Sequence, residues 1–314
     1  MKSIIIIIPY FGNFPDYFEL FLKSCKYNET IVWAIITDNE LKYDYPSNVH
    51  KIKSSFIEIQ KKIHAKFDFE VVIDSVHKLC EYKPAYAYLF PELVKGYDYW
   101  GYGDLDLIYG NLREFLTPEI LNYSKVFTLG HFTLIENTDE YNSMFMAEIN
   151  GEAYYRKAFS SSENFNFDEQ FKKKININTI FEVNKCDIWK RNFAADIYTK
   201  SSDLRLDLGD GKKERKSDSL FVWDNGKLIR YTKGQNGKIN TKEYMYIHLQ
   251  KRKMKCNVDN SINTYKIIPN SFEKIEIDIT DIEKQYSKIK KKNFNLQYFK
   301  IRTKNLISKI KSSL

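Results

Sequence analysis

The sequence lacks several patterns that mark common classes of protein. No Gly-x-Gly-x-x-Gly or Walker loop follows the first predicted strand, so dinucleotide-dependent oxidoreductases and P-loop enzymes are poor fits. The few cysteines, Cys25, Cys80, Cys186 and Cys256, are widely separated and form no Cys-x-x-Cys pair. This spacing favours reduced thiols over a zinc site or a disulfide framework.

Long apolar runs are also absent. The β-branched run at residues 4–8 is followed at once by Pro9. A transmembrane helix needs about 20 apolar residues, and a signal peptide needs a longer apolar segment than this one. We therefore expect a cytoplasmic protein.

Acidic residues are missing from the end of the chain. Residues 284–314 contain ten Lys and Arg and no Asp or Glu, so the first 283 residues carry −2 of the total charge of +8. A nearly neutral body argues against nucleic-acid binding, which needs a basic face on the fold itself. Residues 286–314 predict basic amphipathic helices that either lie on anionic lipid at the membrane or pack on the body.

What the chain does contain predicts a folded α/β protein. It has 314 residues, of which 43% are hydrophobic and 16% aromatic, and this excludes wholesale disorder. Residues 4–8 and 30–37 resemble buried parallel strands, and residues 15–25 between them have helical spacing. This order predicts a βαβ unit in a doubly wound sheet, in which ligands bind beyond the carboxyl ends of the strands. The strand ends carry Pro9, Tyr10, Phe11 and Asp38.

Other segments predict further regular elements. Residues 49–53 and 125–129 predict strands, and Ser55 with Glu58 has the capping-box spacing that begins a helix. Asn225-Gly226, between two apolar runs, predicts a β-hairpin.

The stretch 97–110 carries the strongest chemical signal. It predicts an aromatic strand that runs into a glycine-flanked turn containing Asp104 and Asp106. In an extended chain these two carboxylates point to the same side. Two like charges in one volume need a proton or a cation between them, and Mg²⁺ and Mn²⁺ prefer oxygen ligands. The spacing alone is also typical of a polar turn after a buried strand, but the small residues beside the pair leave room for the phosphates of a ligand, and the stretch therefore predicts a divalent-metal site.

Two further residues are candidates for ligand binding. Lys83 precedes a proline at a predicted helix start, and helix N-termini attract anions. His131 follows the predicted strand 125–129, at the same sheet edge as Asp104. The alternatives are a solvated lysine and a structural histidine.

Six blocks of the sequence resemble one known family. They are Ile-Pro-Tyr-Phe-Gly, Leu-Cys-Glu-Tyr-Lys-Pro-Ala-Tyr, Gly-Asp-Leu-Asp-Leu-Ile-Tyr-Gly, Gly-His-Phe-Thr-Leu, Phe-Asp-Glu and His-Leu-Gln-Lys-Arg-Lys-Met. Together they are similar to a bacterial family found in clusters for capsular and cell-surface polysaccharides. Asp104-Leu105-Asp106 resembles the Asp-x-Asp motif of metal-dependent GT-A glycosyltransferases, and it is the one block with a widely shared mechanism.

The resemblance implies a fold and an activity. The fold would be a GT-A-like, Rossmann-type mixed sheet flanked by helices, with a C-terminal hairpin and the basic helical tail. Residues 1–256 would form the catalytic domain and 257–314 an extension. The activity would be transfer of a hexosyl or related group from a nucleotide sugar, with a UDP-sugar as first choice. The acceptor would be a glycan, carried on lipid at the inner face of the cell membrane.

The resemblance also implies residues that bind the donor. The backbone at 9–11 would hold the nucleoside, with Asp38 near the base or ribose; a turn residue or helix cap is the alternative for Asp38. Lys83 and Lys251 would lie near the donor diphosphate, and His131 near the donor sugar or the acceptor.

Metal binding and catalysis are implied in the same way. Asp104, Asp106 and His248 would hold Mn²⁺ or Mg²⁺, although His248 is alternatively a half-buried strand histidine. Asp168 or Glu169 would act as base if the reaction inverts configuration, and would orient the acceptor if it retains configuration. The alternative for this pair is a helix N-terminal position, which favours carboxylates.

Two other functions stay open from the sequence. Asp-Leu-Asp also resembles the nucleophile and acid/base pair of haloacid-dehalogenase-like phosphatases, although in those enzymes the motif closes the first strand. A non-catalytic protein that binds a nucleotide sugar or a membrane surface would show ligand affinity without turnover.

Overall fold

The computed structural model describes residues 1–170, 174–199, 203–209, 212–215, 219–234, 238–250, 252–276 and scattered positions from 278 to 307. These residues form two compact units. The first unit contains residues 1–14, 28–105 and 116–192, and the second contains 15–27, 106–115 and 193–314. Both units combine helices with mixed β-sheets, so the predicted α/β class is confirmed.

The strands are numbered in chain order. They are β1 (Ile4–Pro9), β2 (Ile31–Thr37), β3 (Val49–Lys53), β4 (Tyr99–Gly103), β5 (Leu107–Tyr109), β6 (Lys125–Leu129), β7 (Phe132–Glu136), β8 (Ile188–Trp189), β9 (Ala194–Asp196), β10 (Ser219–Asp224), β11 (Lys227–Lys233), β12 (Ile239–Tyr244), β13 (Tyr246–His248), β14 (Lys255–Cys256), β15 (Thr264–Ile268) and β16 (Ser271–Lys274).

The α-helices that the structure describes within residues 1–276 are short. They are α1 (Phe18–Lys26), α2 (Phe56–Lys66), α3 (Leu79–Tyr82), α4 (Tyr86–Leu89), α5 (Pro91–Val94), α6 (Leu112–Phe115), α7 (Asp139–Ser143), α8 (Tyr154–Phe159) and α9 (Ile177–Val183). Single 3₁₀ turns flank several of them, at Val76–Lys78, Lys83–Ala85, Ile120–Asn122 and Met144–Met146. In the part of the chain that the structure describes, no helix is long and apolar enough to cross a membrane.

The sheet of the first unit has the order β3-β2-β1-β4-β7-β6-β8. β1 is parallel to β2 and β4, whereas β7 is antiparallel to β4 and β6. Isoleucines at residues 4–8 are all buried, because a central parallel strand is covered on both faces. The predicted parallel pairing of the first two strands is therefore confirmed.

The strand order changes direction beside β1. The chain passes from β1 outward to β2 and β3, and then returns to β4 on the other side of β1. Open α/β sheets bind ligands at such a switch point, beyond the carboxyl ends of the strands. Pro9 ends β1, Asp38 follows β2 and Asp104 follows β4, so these three residues lie along one edge of the sheet.

Two local predictions are confirmed. The hydroxyl of Ser55 accepts the backbone N–H of Glu58, whose carboxylate accepts the N–H of Ser55, and this capping box begins α2. Asn225 and Gly226 take positive φ angles of 45° and 87° between β10 and β11. Both central residues of a type I′ hairpin turn require that conformation.

The second unit contains two sheets, with the orders β12-β11-β10-β15-β16-β14 and β5-β13-β9. The larger sheet includes the predicted hairpin, and β15 pairs with β10. This sheet therefore continues beyond residue 256, where the sequence suggested the start of an extension. The predicted basic tail, residues 286–314, lies largely outside the described residues.

Candidate functional site

Lys83 is a buried lysine whose ammonium group contacts several polar groups of the first unit. Lys83 is 5% exposed and begins a 3₁₀ turn. Its Nζ donates to Asp104 Oδ1 at 2.7 Å and to the Gly130 carbonyl at 2.8 Å, and Asp168 Oδ2 lies 3.6 Å away. Burial lowers the pKa of Lys83, but the carboxylates of Asp104 and Asp168 outweigh it and hold that pKa well above the usual value. Lys83 is thus a buried ion-pair partner and not a solvated lysine.

Backbone contacts bring the three segments around Lys83 together. The N–H of Asp104 donates to the His131 carbonyl at 3.2 Å, and the Tyr102 hydroxyl donates to the Asp168 carbonyl at 3.0 Å. A Cβ on Gly130 would lie 2.6 Å from Asp168 Oδ2, so only glycine leaves room for this carboxylate. The end of β4, the β6–β7 turn and the segment 164–170 therefore converge, and His131 lies in that turn, as predicted.

The acidic pair Asp168 and Glu169 lies in a turn of the described chain, and the following helix, α9, begins only at Ile177. Burial raises the pKa of Asp168 to about 7, with Lys83 acting against this and Glu169 adding to it. Burial also raises the pKa of Glu169, against the effect of Lys83. Asp168 is 5% exposed, whereas Glu169 is only half-buried. Two carboxyl groups with raised pKa values are thus under the electrostatic influence of the Lys83 ammonium group.

Asp38 links the loop after β1 to the loop after β2 by a hydrogen bond. Its Oδ1 accepts the N–H of Gly12 at 2.8 Å, and the side chain of Asn39 donates to the Gly12 carbonyl at 3.0 Å. Tyr10 donates its N–H to the Ile36 carbonyl at 2.8 Å. Asp38 therefore has the turn role that the sequence left open. Nucleoside binding by Asp38 and by the backbone at 9–11 stays a prediction.

In the second unit, β13 places His248 between two carboxylates. His248 pairs in register with Leu107 of β5 and with Asp196 of β9. Its Nε2 is 3.4 Å from Asp106 Oδ1, and its Nδ1 is 2.9 Å from Asp196 Oδ1. The N–H of Leu249 donates to the Asp106 carbonyl at 2.9 Å, which fixes the backbone of this aspartate beside the histidine.

The environment of His248 suits a cation. Burial lowers the pKa of the imidazole, but Asp106 and Asp196 outweigh this effect and raise it to about 10. Asp106 Oδ1 is buried and, within the described residues, makes no hydrogen bond of standard geometry. A proton on Nε2 or a divalent metal at the same place balances these carboxylates, and metal-bound histidines commonly donate their other N–H to a carboxylate. Asp106 and the Nε2 of His248 therefore fit a metal ion, with Asp196 orienting the imidazole through Nδ1.

Sequence reasoning missed two residues of this second cluster. Asp196 ends β9, a strand of three residues whose sequence, Ala-Ala-Asp, carries no pattern of its own. Gln250 donates to Asp196 Oδ1 at 2.7 Å. Gln250 could have been found from the sequence, because it lies two residues after His248 in the His-Leu-Gln block. The predicted diphosphate ligand Lys251 lies outside the described residues.

A known family model matches sequence from both units. One model matches residues 6–276, and it represents DUF6625, a family of unknown function. The chain belongs to this family. The matched region of this DUF6625 member contains Lys83, Asp104 and Asp168 as well as Asp106 and His248. No curated protein matches the chain.

The ion pairs of Lys83 lead to a prediction about stability. Lys83→Met removes the ammonium group from Asp104 and Asp168, and we expect the free energy of unfolding to fall by roughly 2–4 kcal/mol. Urea denaturation measures this loss. Lys53→Met is the matched control, because its ion pair with Glu40 is exposed on both sides. The control should unfold like the wild type, and an equal effect of both substitutions would contradict the role of Lys83.

The raised pKa of Asp168 leads to a prediction about pH. The folded value is about 7 and the ordinary value is 3.8, so between them the folded state keeps a proton that the unfolded state has lost. This group therefore makes the protein less stable as the pH rises through that window. Asp168→Asn should remove this part of the pH dependence, measured as unfolding free energies at about pH 5 and about pH 8.

The control for this experiment is Asp44→Asn, because Asp44 is exposed. It should keep the wild-type dependence of stability on pH. The assignment to Asp168 would be refuted by identical pH profiles for Asp168→Asn and the wild type.

Proposed function

We propose that this DUF6625 chain is a metal-dependent glycosyltransferase of GT-A-like fold. It would transfer a hexosyl or related group from a nucleotide sugar to a glycan acceptor. The main support is the position of His248, whose Nε2 faces Asp106 of the Asp-Leu-Asp motif while Asp196 lies against Nδ1. A carboxylate that orients one ring nitrogen leaves the other directed toward a metal.

The proposed metal ligands are Asp106 and His248. Asp104, two residues earlier in the chain, is a further ligand predicted by the Asp-Leu-Asp spacing. Of the two ions considered, Mn²⁺ fits better, because Mg²⁺ takes almost only oxygen ligands and this set includes an imidazole. The metal, when bound, would neutralise charge on the leaving nucleoside diphosphate.

The first-unit sheet supports donor binding at its carboxyl edge. The switch point between β1 and β4 lies between Pro9 and Asp104, where open α/β sheets hold nucleotides. Phe11 is half-buried there and its ring lies 5.6 Å from that of Phe56. The half-buried residues 9–11 would hold the nucleoside through their backbone, and the ion pair with Lys83 orients Asp104 at the same edge.

If the reaction inverts configuration, Glu169 is our choice for the base that takes the proton of the acceptor hydroxyl. It is half-buried, whereas Asp168 is almost fully buried. Its raised pKa moves its basicity toward the operating pH, which improves a general base. Asp168 and Lys83 would set the electrostatic environment of Glu169.

The phosphatase alternative has less support. In that class the nucleophilic aspartate follows the first strand, but β1 ends at Pro9 and is followed by Tyr10 and Phe11. The Asp-Leu-Asp motif follows β4 instead.

The deciding experiment is a thermal-shift panel of nucleoside diphosphates and nucleotide sugars, with and without Mn²⁺. Stabilisation by one nucleotide that requires both Mn²⁺ and Asp106 supports the proposal, because ligand binding raises stability by linkage. Asp106→Asn should lose the shift and Asp44→Asn should keep it. A nucleotide shift without nucleotide-sugar turnover supports the binding-protein alternative, and no metal-dependent shift with any nucleotide refutes the site.

Mn²⁺ binding should release a proton. The pKa of about 10 means that His248 carries a proton at neutral pH, and coordination at Nε2 displaces it. We therefore expect the Mn²⁺ affinity to rise by about tenfold per pH unit between about pH 6 and about pH 8. Calorimetry in two buffers of different ionisation enthalpy counts the released protons. Affinity that does not change with pH would contradict coordination by His248, and His248→Gln should abolish the release.

Removal of the proposed base should affect turnover and not nucleotide binding. Glu169→Gln keeps the size of the side chain but cannot accept the proton, so we expect a loss of about 10²–10⁴-fold in kcat. The Mn²⁺-dependent thermal shift with nucleotide should stay at the wild-type value. Glu148→Gln, at an exposed position, is the control. Full activity of Glu169→Gln would exclude Glu169 as the base.

A further inference from the structure

Glu81 is a buried carboxylate that binds the backbone of a distant loop. It lies in α3 and is 2% exposed. Its Oε1 accepts the N–H groups of Phe165 and Asn166 at 2.7 and 3.0 Å, and its Oε2 accepts that of Phe167 at 2.9 Å. Hydrogen bonds to an ionised group are about twice as strong as neutral ones. Three successive N–H groups thus converge on one anion.

This contact determines the chain conformation just before Asp168. Asn166 has a φ of 56°, a left-handed conformation, and such turns direct successive N–H groups toward one anion. Phe167 is 1% exposed and its ring lies 5.8 Å from that of Phe159, so the turn is also held by packing. Asp168 follows directly, with its carbonyl bound by Tyr102.

Two neighbours of Glu81 bind carbonyl groups at the end of α8 and in the segment that follows it. Lys78 Nζ donates to the carbonyls of Ala158 and Glu163 at 3.1 and 2.7 Å. The Tyr82 hydroxyl shares its proton between the Val72 carbonyl at 3.0 Å and the Phe159 carbonyl at 3.2 Å, and the rings of Tyr82 and Phe159 stack with centroids 4.1 Å apart. Residues 78–82 therefore bind carbonyl groups at 158–163 and N–H groups at 165–167.

The backbone just after Asp168 and Glu169 is hydrogen-bonded to β6. The N–H of Gln170 donates to the Thr128 carbonyl at 3.0 Å, and the Asn178 side chain donates to the same carbonyl at 3.3 Å. Lys125, fully buried, donates to Asn178 Oδ1 at 2.6 Å. The chain is thus hydrogen-bonded on both sides of Asp168 and Glu169. Glu81 binds the backbone just before this pair, and the Thr128 carbonyl binds the backbone just after it.

We infer that Glu81 is a positioning residue for the acidic pair. By binding the backbone of 165–167 it holds Asp168 beside Lys83 and holds Glu169 where the Gly130 N–H reaches it. The catalytic part of this inference rests on the function proposed above, whereas the positioning part does not.

The test uses Glu81→Gln, which keeps the shape of the side chain but replaces one accepting oxygen with an NH₂ donor. At least one N–H group at 165–167 then loses its partner. Hydrogen exchange should therefore speed up at Phe165, Asn166 and Phe167 by about tenfold or more, because local opening becomes easier. Glu148→Gln, which is exposed, should leave these rates unchanged.

A second readout separates positioning from a general loss of stability. The carboxyl titration of Asp168, followed by ¹³C NMR and assigned with Asp168→Asn, should move to lower pH in Glu81→Gln. The charge of Glu81 and the burial that it maintains both raise this pKa. Among the described residues, the ionisable groups that interact with Asp168 include Lys83, Glu169, Glu81, Asp104, Cys80, Tyr86, Tyr102 and Lys125. Only Glu81 differs between the variant and the wild type.

The outcomes are distinct. Unchanged exchange rates together with an unchanged Asp168 titration would overturn the positioning role. If Glu81→Gln does not fold, Glu81→Asp keeps the charge and should show intermediate protection of the same amides; wild-type protection in Glu81→Asp would overturn the inference.

Activity tests the catalytic part separately. With a nucleotide sugar that the wild type turns over, Glu81→Gln should lower kcat by up to about 10²-fold and leave KM and Mn²⁺ affinity unchanged, because misplacement affects the reacting group. Unchanged kcat would overturn the catalytic part. If the wild type turns over no nucleotide sugar, the proposed function fails, and the exchange and titration results still decide the positioning role.

Discussion

The polar interior of the first unit depends on one buried ammonium group, that of Lys83. An ammonium group removed from water is costly unless charged and hydrogen-bonding partners surround it. Asp104, the Gly130 carbonyl and Asp168 supply those partners. Each partner belongs to a different segment, so a single cation determines where the end of β4, the β6–β7 turn and the segment 164–170 meet.

In the second unit, two carboxylates are also balanced by a cation, but here the cation is the imidazolium of His248. Asp106 and Asp196 lie on either side of His248, as Asp104 and Asp168 lie near Lys83. The two cations differ in kind. The ammonium group of Lys83 is permanent at physiological pH, whereas the Nε2 proton of a histidine can be exchanged for a metal ion. This difference is why we propose metal binding at His248, and at Lys83 a permanent ion pair that orients Asp104.

The elements that the sequence predicted well are those with strong local signals. Residues 49–53 form β3 with the predicted bounds, and Ser55 begins α2. The Asn225-Gly226 turn joins two strands because only residues that tolerate positive φ fit there. Glu81 could not be predicted, since its partners are more than 80 residues away. Its burial, unusual for a glutamate, became visible only in the folded chain.

By itself, the sequence determined the buried parallel strands, the helix cap, the hairpin and the carboxylate pair at Asp104 and Asp106. Each depends on neighbouring residues, through backbone conformation or side-chain periodicity. Only the tertiary structure decided which charges meet. It placed Lys83 against Asp104, 21 residues further along the chain, and it placed Asp196 against His248 through the register of β9 and β13. Neither pair follows from local spacing. Local physics specifies elements, whereas the site arises where distant elements balance each other's charge.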